Sequence, residues 1–254
     1  ATDFCVAPTH ERLHELQDEC PAMRMAALAD DGAYDAPPPS LYPGFGRKRE
    51  LVWRELRQCS NAAKLVVLAP DASEVPPEYR ARLAPCAKLG GLFVGEGAAC
   101  KASFAAAMRK KLANLDNIDA IRDTAKNDGV RKLRMELLRD CASVLPDYWT
   151  RGMPPSLTFE GAVAADARVR QSFELLVQAG DTPADRRDVV VQQAFLAENK
   201  GGHGLHRQVT RRRAAWAGFM LKAWPLLKAV SPFLANHTLA GSTLPLLAEL
   251  RTCY

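Results

Sequence analysis

From Asn127 to the C terminus the chain repeats one kind of segment, and this limits its possible folds more than any other feature. The stretches "VRKLRMELLRDCASVL", "GAVAADARVRQSFELLVQAG", "TPADRRDVVVQQAFLAEN", "LHRQVTRRRAAWAGFMLKAW" and "LPLLAELRT" place apolar residues at helical spacing, each bounded by Gly or Pro. Thr182-Pro183 with Asp185 supplies a cap and a first turn in which the missing proline N–H costs nothing. Residues 127–254 are therefore expected to be all-α, with one apolar face of each helix buried. At 48% hydrophobic over 254 residues there is enough apolar material for a sizeable core. The greasiest run, "AAWAGFMLKAWPLLKAV" from Ala214, is interrupted by Lys222, Pro225 and Lys228. It reads as a buried helix pair and not as a membrane span.

The middle of the chain has a different pattern. After a Pro-rich linker, "APPPSLYPGFG", the segment "RKRELVWRELRQCS" has helical spacing and leads into "AKLVVLAPDA", a short valine-rich run read as a buried strand. "VPPEYRARLAPCAKLG" then reads as a helix with proline in its first turn, and "GGLFVG" as a second strand. "GAACKASFAAAMRKKLANL" is helical, and "NIDAI" is a candidate third strand. Alternating helices and strands predict an α/β domain over residues 44–126, preceded by an N-terminal helical arm and linker, residues 1–43, and followed by the α-helical domain.

The order "RELRQCSNAAKLVVLAPDAS" then "PPEYRARLAPCAKLGGLFVG" resembles the kink-turn RNA-binding ribosomal protein superfamily. Its members include archaeal L-seven-Ae-type and eukaryotic L-thirty-type proteins and SECIS-binding domains. The matching elements are Ala63 to Ala69, Asp71, Pro76 to Cys86, and Leu92 to Val94, within residues 44–122. The resemblance implies a three-layer α/β/α sandwich with a small sheet, in which Leu65–Leu68 and Leu92–Val94 are neighbouring interior strands. It also implies RNA contact where the first helix begins and at the loop after the later strand. At those places this chain has Arg47-Lys48-Arg49 after Gly46, and Gly95-Glu96-Gly97-Ala98-Ala99.

Charge adds an independent argument. The net charge of +5 and pI near 8.9 permit a polyanionic partner without demanding one. The positive side chains are clustered: Arg47, Lys48 and Arg49; Arg109, Lys110 and Lys111; and Arg207 with Arg211, Arg212 and Arg213 beside His203 and His206. Each cluster can neutralise RNA phosphates, and each can equally be a solvated helix face. Phe45 and Trp53 are candidate stacking residues, though the helical spacing of Trp53 suits the core better.

Signs of catalysis are sparse. His10-Glu11-Arg12-Leu13-His14 reads His-Glu-x-x-His, the pattern that holds zinc with a general base on one helix face. It lies in a first turn after Pro8-Thr9, with Arg12 between the two ligands and no third ligand in evidence downstream. The plainer reading puts His10, Glu11 and His14 in solvent, with Leu13, Leu16, Met23, Met25 and Leu28 on the buried stripe of short helices. "GGLFVGEGAAC" lacks the ending of a phosphate-binding loop. "NKGGHG", residues 199–204, reads as a mobile loop whose His203 has no assignable nucleophile, and Cys86 and Cys100 read as small buried apolar residues. The seven cysteines are odd in number and widely spread, which argues against a disulfide framework and for a reducing compartment.

The expected function is a non-catalytic structural subunit of a ribonucleoprotein, ribosomal or mitochondrial-ribosomal in kind. Its expected partners are other subunits and RNA; no cofactor and no membrane span are expected, and the mitochondrial matrix is favoured over the cytoplasm. The alternatives are an accessory scaffold of a large respiratory-type assembly and, third, a zinc metallohydrolase using His10, Glu11 and His14.

Overall fold

A computed structural model of the chain describes residues 24–28, 31–35, 65–69, 71–121, 128–177, 183–230, 232–238 and 244–253. Contacts divide the chain into two units, Ala1–Ala99 and Cys100–Tyr254.

In the first unit, β1 (Arg24–Leu28) and β2 (Asp31–Asp35) form an antiparallel hairpin with Leu28 opposite Asp31. Met25 and Leu28, expected on a helix, are thus strand residues, paired with Tyr34 and Asp31. Residues 65–69 are extended, as their valine-rich composition predicts, but they make only an isolated parallel bridge. Val67 donates to the Arg82 carbonyl at 2.9 Å, and Ala84 N donates to the Val67 carbonyl at 3.0 Å. Asp71 accepts from Ser73 N at 2.8 Å and so caps a short 3₁₀ turn, Ala72–Glu74.

The helix expected to run on to Gly90 is a single turn, α1 (Pro77–Arg80). Beyond it, Cys86–Leu89 is β3, paired antiparallel with β4 (Leu92–Gly95). The reversal falls on Gly90 and Gly91, with φ of 53° and 86°. Positive φ at both turn positions is what a tight hairpin requires and what glycine permits. The pairing also corrects the expected neighbours: β4 lies beside β3, and Val67 lies beside Leu83. Val66, Leu68 and Val94 are exposed and not interior. The described residues form two two-stranded ladders; they do not show a three-layer sandwich.

The second unit is helical, as expected of the C-terminal half. It begins within α2 (Gly97–Leu112), whose Cys100, Phe104, Met108 and Leu112 recur every four residues and are all buried. "NIDAI" is not a strand, because α3 (Leu115–Asp119) takes up most of it. Next come α4 (Asp128–Leu137), a π-helical turn (Leu138–Ala142), α5 (Asp147–Gly152), α6 (Pro155–Leu176), α7 (Ala184–Ala194) and α8 (Gln208–Val230). Two short helices, α9 (Pro232–Ala235) and α10 (Pro245–Arg251), complete it.

The core of this unit forms where α2, α5 and α6 meet. Phe104 is fully buried and meets Trp149 edge-on, with ring centroids 5.8 Å apart. Close approach of α6 is possible because residue 161 is glycine: a Cβ there would stand 2.1 Å from Phe104 Cε1. A largely buried ionic cluster ties α3, α4 and α6 together. Arg168 donates to Asp116 at 2.7 Å and to Asp119 at 2.6 Å, and Arg134 approaches Asp119 at 3.8 Å.

The stretch expected to be a helix pair broken at Pro225 is one continuous helix, α8. Pro225 is exposed, so the hydrogen bond it forfeits lies on the solvent side, where water can serve the freed carbonyl. The opposite face buries Trp216, Ala217, Met220 and Trp224 against Leu247 and Leu250 of α10. Glu249 of α10 accepts from Ser156 N at 2.6 Å and from Ser156 Oγ at 2.8 Å, placing a carboxylate at the positive end of α6. Among the described residues, no helix is long and apolar enough to cross a membrane.

Candidate functional site

The start of α8 is held by two side chains distant in sequence. Asp166 of α6 accepts from Gln208 N at 2.7 Å and from Val209 N at 3.0 Å, occupying amides that have no partner within the helix. Burial pushes the Asp166 carboxyl above its ordinary pKa, against the pull of those amides and of Arg207 and Arg212. The Gln208 side chain is buried, and its Nε2 donates to the Ser143 carbonyl at 2.7 Å and to Asp147 Oδ1 at 2.6 Å. These bonds lock the helix start onto α5 and the turn before it.

That anchoring sets the directions of the arginines. Arg211 N donates to the Arg207 carbonyl at 3.1 Å, so the two residues sit one turn apart, and both are exposed. The Arg207 guanidinium lies 4.9 Å from the centre of the Phe195 ring, a cation–π contact that restrains this exposed side chain. Arg213 is also exposed. Arg212 turns inward: it is buried, its guanidinium covers the Phe159 ring at 4.6 Å, and it donates to the Val209 carbonyl. Burial and neighbouring Arg213 lower its pKa. It serves packing, not a surface contact.

Beside Arg207 and Arg211 is an open recess of about 690 Å³. One wall is the π-helical turn, which supplies Arg139 and Asp140; the opposite wall comes from Glu198 and Gly204. Arg139 donates to Asp140 at 2.8 Å and also to Glu198. The bond to Asp140, with the charge of Glu198 adding to it, makes this guanidinium still harder to deprotonate. His206 lines the recess, and its buried Nδ1 has no hydrogen-bond partner. Burial and then Arg211 depress the imidazole pKa, while Asp147 and Asp140 oppose them.

Residues 199–204, expected to be a mobile loop, form a pinned turn. Gly204 N donates to the Leu196 carbonyl at 2.9 Å, Leu205 N to the Ala194 carbonyl at 3.1 Å, and Gln193 Nε2 to the Gly201 carbonyl at 2.9 Å. Gly202 has to be glycine, since a Cβ would fall 2.1 Å from the Leu196 carbonyl oxygen. His203, weighed as a base, packs at a tilt of 48° against the Phe173 ring, with centroids 5.7 Å apart.

The other basic cluster, Arg109, Lys110 and Lys111, is exposed in the last turn of α2, where the helix dipole favours cations. Lys111 Nζ stands 5.1 Å from the centre of the Trp149 ring. This cluster does not line the recess. Arg47, Lys48, Arg49, Phe45, Trp53, His10, Glu11 and His14 lie outside the described residues. Among the described residues, no group of His, Cys, Asp and Glu is arranged to hold a metal ion. Cys100 is buried and Cys86 half-buried, and neither is in a disulfide.

The sequence offered no signal for Asp166, Gln208 or Arg139, whose partners are set by tertiary packing. Comparison with protein-family models, with curated proteins and with solved structures gives no match to this chain.

Proposed function

We propose that the chain is a non-catalytic structural subunit of a ribonucleoprotein, ribosomal or mitochondrial-ribosomal in kind, that contacts RNA phosphates through its helical unit. One observation carries this reading. Among the described residues, Arg207, Arg211 and Arg213 are exposed without a salt bridge, while the carboxylates around the α8 start are already engaged. Asp140 and Glu198 are taken by Arg139, Asp147 by Gln208 and Arg151, and Asp166 by backbone amides. Exposed guanidinium groups outside any salt bridge suit phosphate oxygens. Arg109 and Lys110 extend the same chemistry to α2. The resemblance of residues 44–122 to kink-turn proteins, with the sandwich it implies, is part of this proposal, as is a mitochondrial setting.

A second reading is an accessory scaffold subunit of a large respiratory-type assembly without RNA. It is favoured by the exposed apolar side chains of α8, Phe219, Leu221 and Leu226, the last of them 70% exposed. Purification of the endogenous particle separates the two. Ribosomal RNA crosslinked to this chain is the expected result; lipid-embedded subunits with no crosslinked RNA would transfer the assignment to the second reading.

A further inference from the structure

The recess beside α8 is more than a charged surface. Its dimensions are those of a small-ligand cleft, and its walls come from three separate pieces of chain: the π-helical turn, the turn at residues 196–206 and the start of α8. A π turn inserts a residue into a helix and re-aims the side chains beyond it; such turns concentrate where a side chain has a task. Here it turns Arg139 toward Glu198 across the recess. Gly204 beside this pair has φ of 69°, a conformation that favours glycine, and a Cβ there would make only ordinary contact with Arg139 Cδ, at 3.4 Å, and Glu198 Cγ, at 3.5 Å.

Three arginines face two acids in the recess, an excess of one positive charge; Arg139 holds both acids, while Arg207 and Arg211, one turn apart, stand outside any salt bridge. Between them on the same turn is the Thr210 hydroxyl, which donates at 3.1 Å to the Arg207 carbonyl and can still accept. Two guanidinium edges and a histidine facing one cleft form a receptor for a tetrahedral oxyanion. We infer that this recess is a seat for a phosphate group, filled in the assembled particle by a phosphodiester of the RNA strand, with Arg207 and Arg211 as its direct ligands and His206 behind them. The identity of the strand rests on the function proposed above; the seat itself rests on the recess.

His206 supplies the readout. The groups around it are Arg139 and Asp140 on the π turn, Asp147 on α5, Glu198 on the 196–206 turn, and Arg207 and Arg211 at the start of α8. Burial is the main cause of the depressed His206 pKa and Arg211 adds to it; an anion bound to Arg211 offsets that added repulsion, so binding is accompanied by proton uptake.

The test is an NMR titration of the full chain, tracking the His206 ring from pH 5.5 to 8. With five histidines in the chain, its resonance is assigned by its loss in His206→Gln. The probes are inorganic phosphate, adenosine monophosphate and a short single-stranded RNA without terminal phosphates, with RNA affinity measured separately by fluorescence anisotropy. The expected result is a saturable shift of the His206 resonance with the RNA and an upward move of its titration midpoint. The Arg207→Gln/Arg211→Gln pair should abolish that shift and weaken RNA binding by at least about tenfold, while exposed Lys222→Gln should leave both intact.

If RNA binds while His206 stays silent in its presence, the recess is not its seat, and the RNA function survives on the other basic residues. If phosphate and adenosine monophosphate move His206 but the RNA does not bind, the seat is upheld for a small phosphate ligand and the RNA function falls. If none of the three moves it, the inference is overturned.

Discussion

At position 161 a single missing methyl group decides how closely two helices pack. Phe104 has no free space to retreat into, being fully buried and edge-on to Trp149, so Gly161→Ala forces α2 and α6 apart. Alanine favours a helix interior over glycine by about 1 kcal/mol, but overpacking a core costs about 1–3 kcal/mol, and the expected outcome is a net loss of up to about 2 kcal/mol. Urea denaturation would measure it; a stabilised variant would mean that the helices are not this close. His206 gives a prediction in pH. Its folded-state pKa is lowered, so between that value and the unfolded value near 6.5 the unfolded chain binds more protons. Stability from this residue is therefore complete above the unfolded pKa and is lost as the pH falls from there through the lowered folded value. Denaturation midpoints at pH 7.5 and 5.5 should drop more for the wild type than for His206→Gln; an equal drop would remove His206 from the account. Neither residue stands out in the sequence. A glycine inside an apolar helix and a histidine beside arginines acquire their meaning only from side chains on other elements.

At the scale of elements, Asp166 links α6 to α8. Asp166→Ala strands the amides of Gln208 and Val209 and is expected to cost about 1–2 kcal/mol, whereas Asp166→Asn keeps an acceptor and should cost less. Thermal melts of the two variants check the order; equal losses would mean that capping is not the bond that matters. Most helices of the second unit were legible, since 3.6-residue periodicity between Gly and Pro boundaries is a local signal. The errors also had local causes. Gly90-Gly91 between two short apolar runs is a hairpin signature that the helical reading of "APCAKLG" overrode. Pro225 was read as a helix break, yet it sits on the exposed side of α8, where a lost hydrogen bond is cheap. The π turn has no sequence signature at all. Of the site, the arginines at 207 and 211 were visible as a charge cluster, whereas the inward turn of Arg212 and the recess itself depend on packing against Phe159 and on residues 139 and 198.

For the molecule as a whole, function turns on what the exposed basic residues outside salt bridges meet. A net charge of +5 is modest, so a uniform electrostatic attraction is weak; two exposed clusters on a rigid helical frame concentrate it. The exposed apolar residues of α8, which favour the scaffold reading, can also be covered by a protein subunit of a ribonucleoprotein, so alone they do not separate the two readings. Salt dependence does, because only release of counterions from neutralised phosphates makes affinity fall steeply with ionic strength. The most direct measurement is a titration of the full chain with a structured RNA between about 50 and 200 mM salt. The expected result is tight binding at the low end and a linear fall of log affinity with log salt. That slope should shrink by about 1.8 when Arg207 and Arg211 are both replaced by glutamine, or about 1.4 if the contacted RNA is single-stranded. No RNA affinity at low salt, or an affinity indifferent to salt, would contradict it.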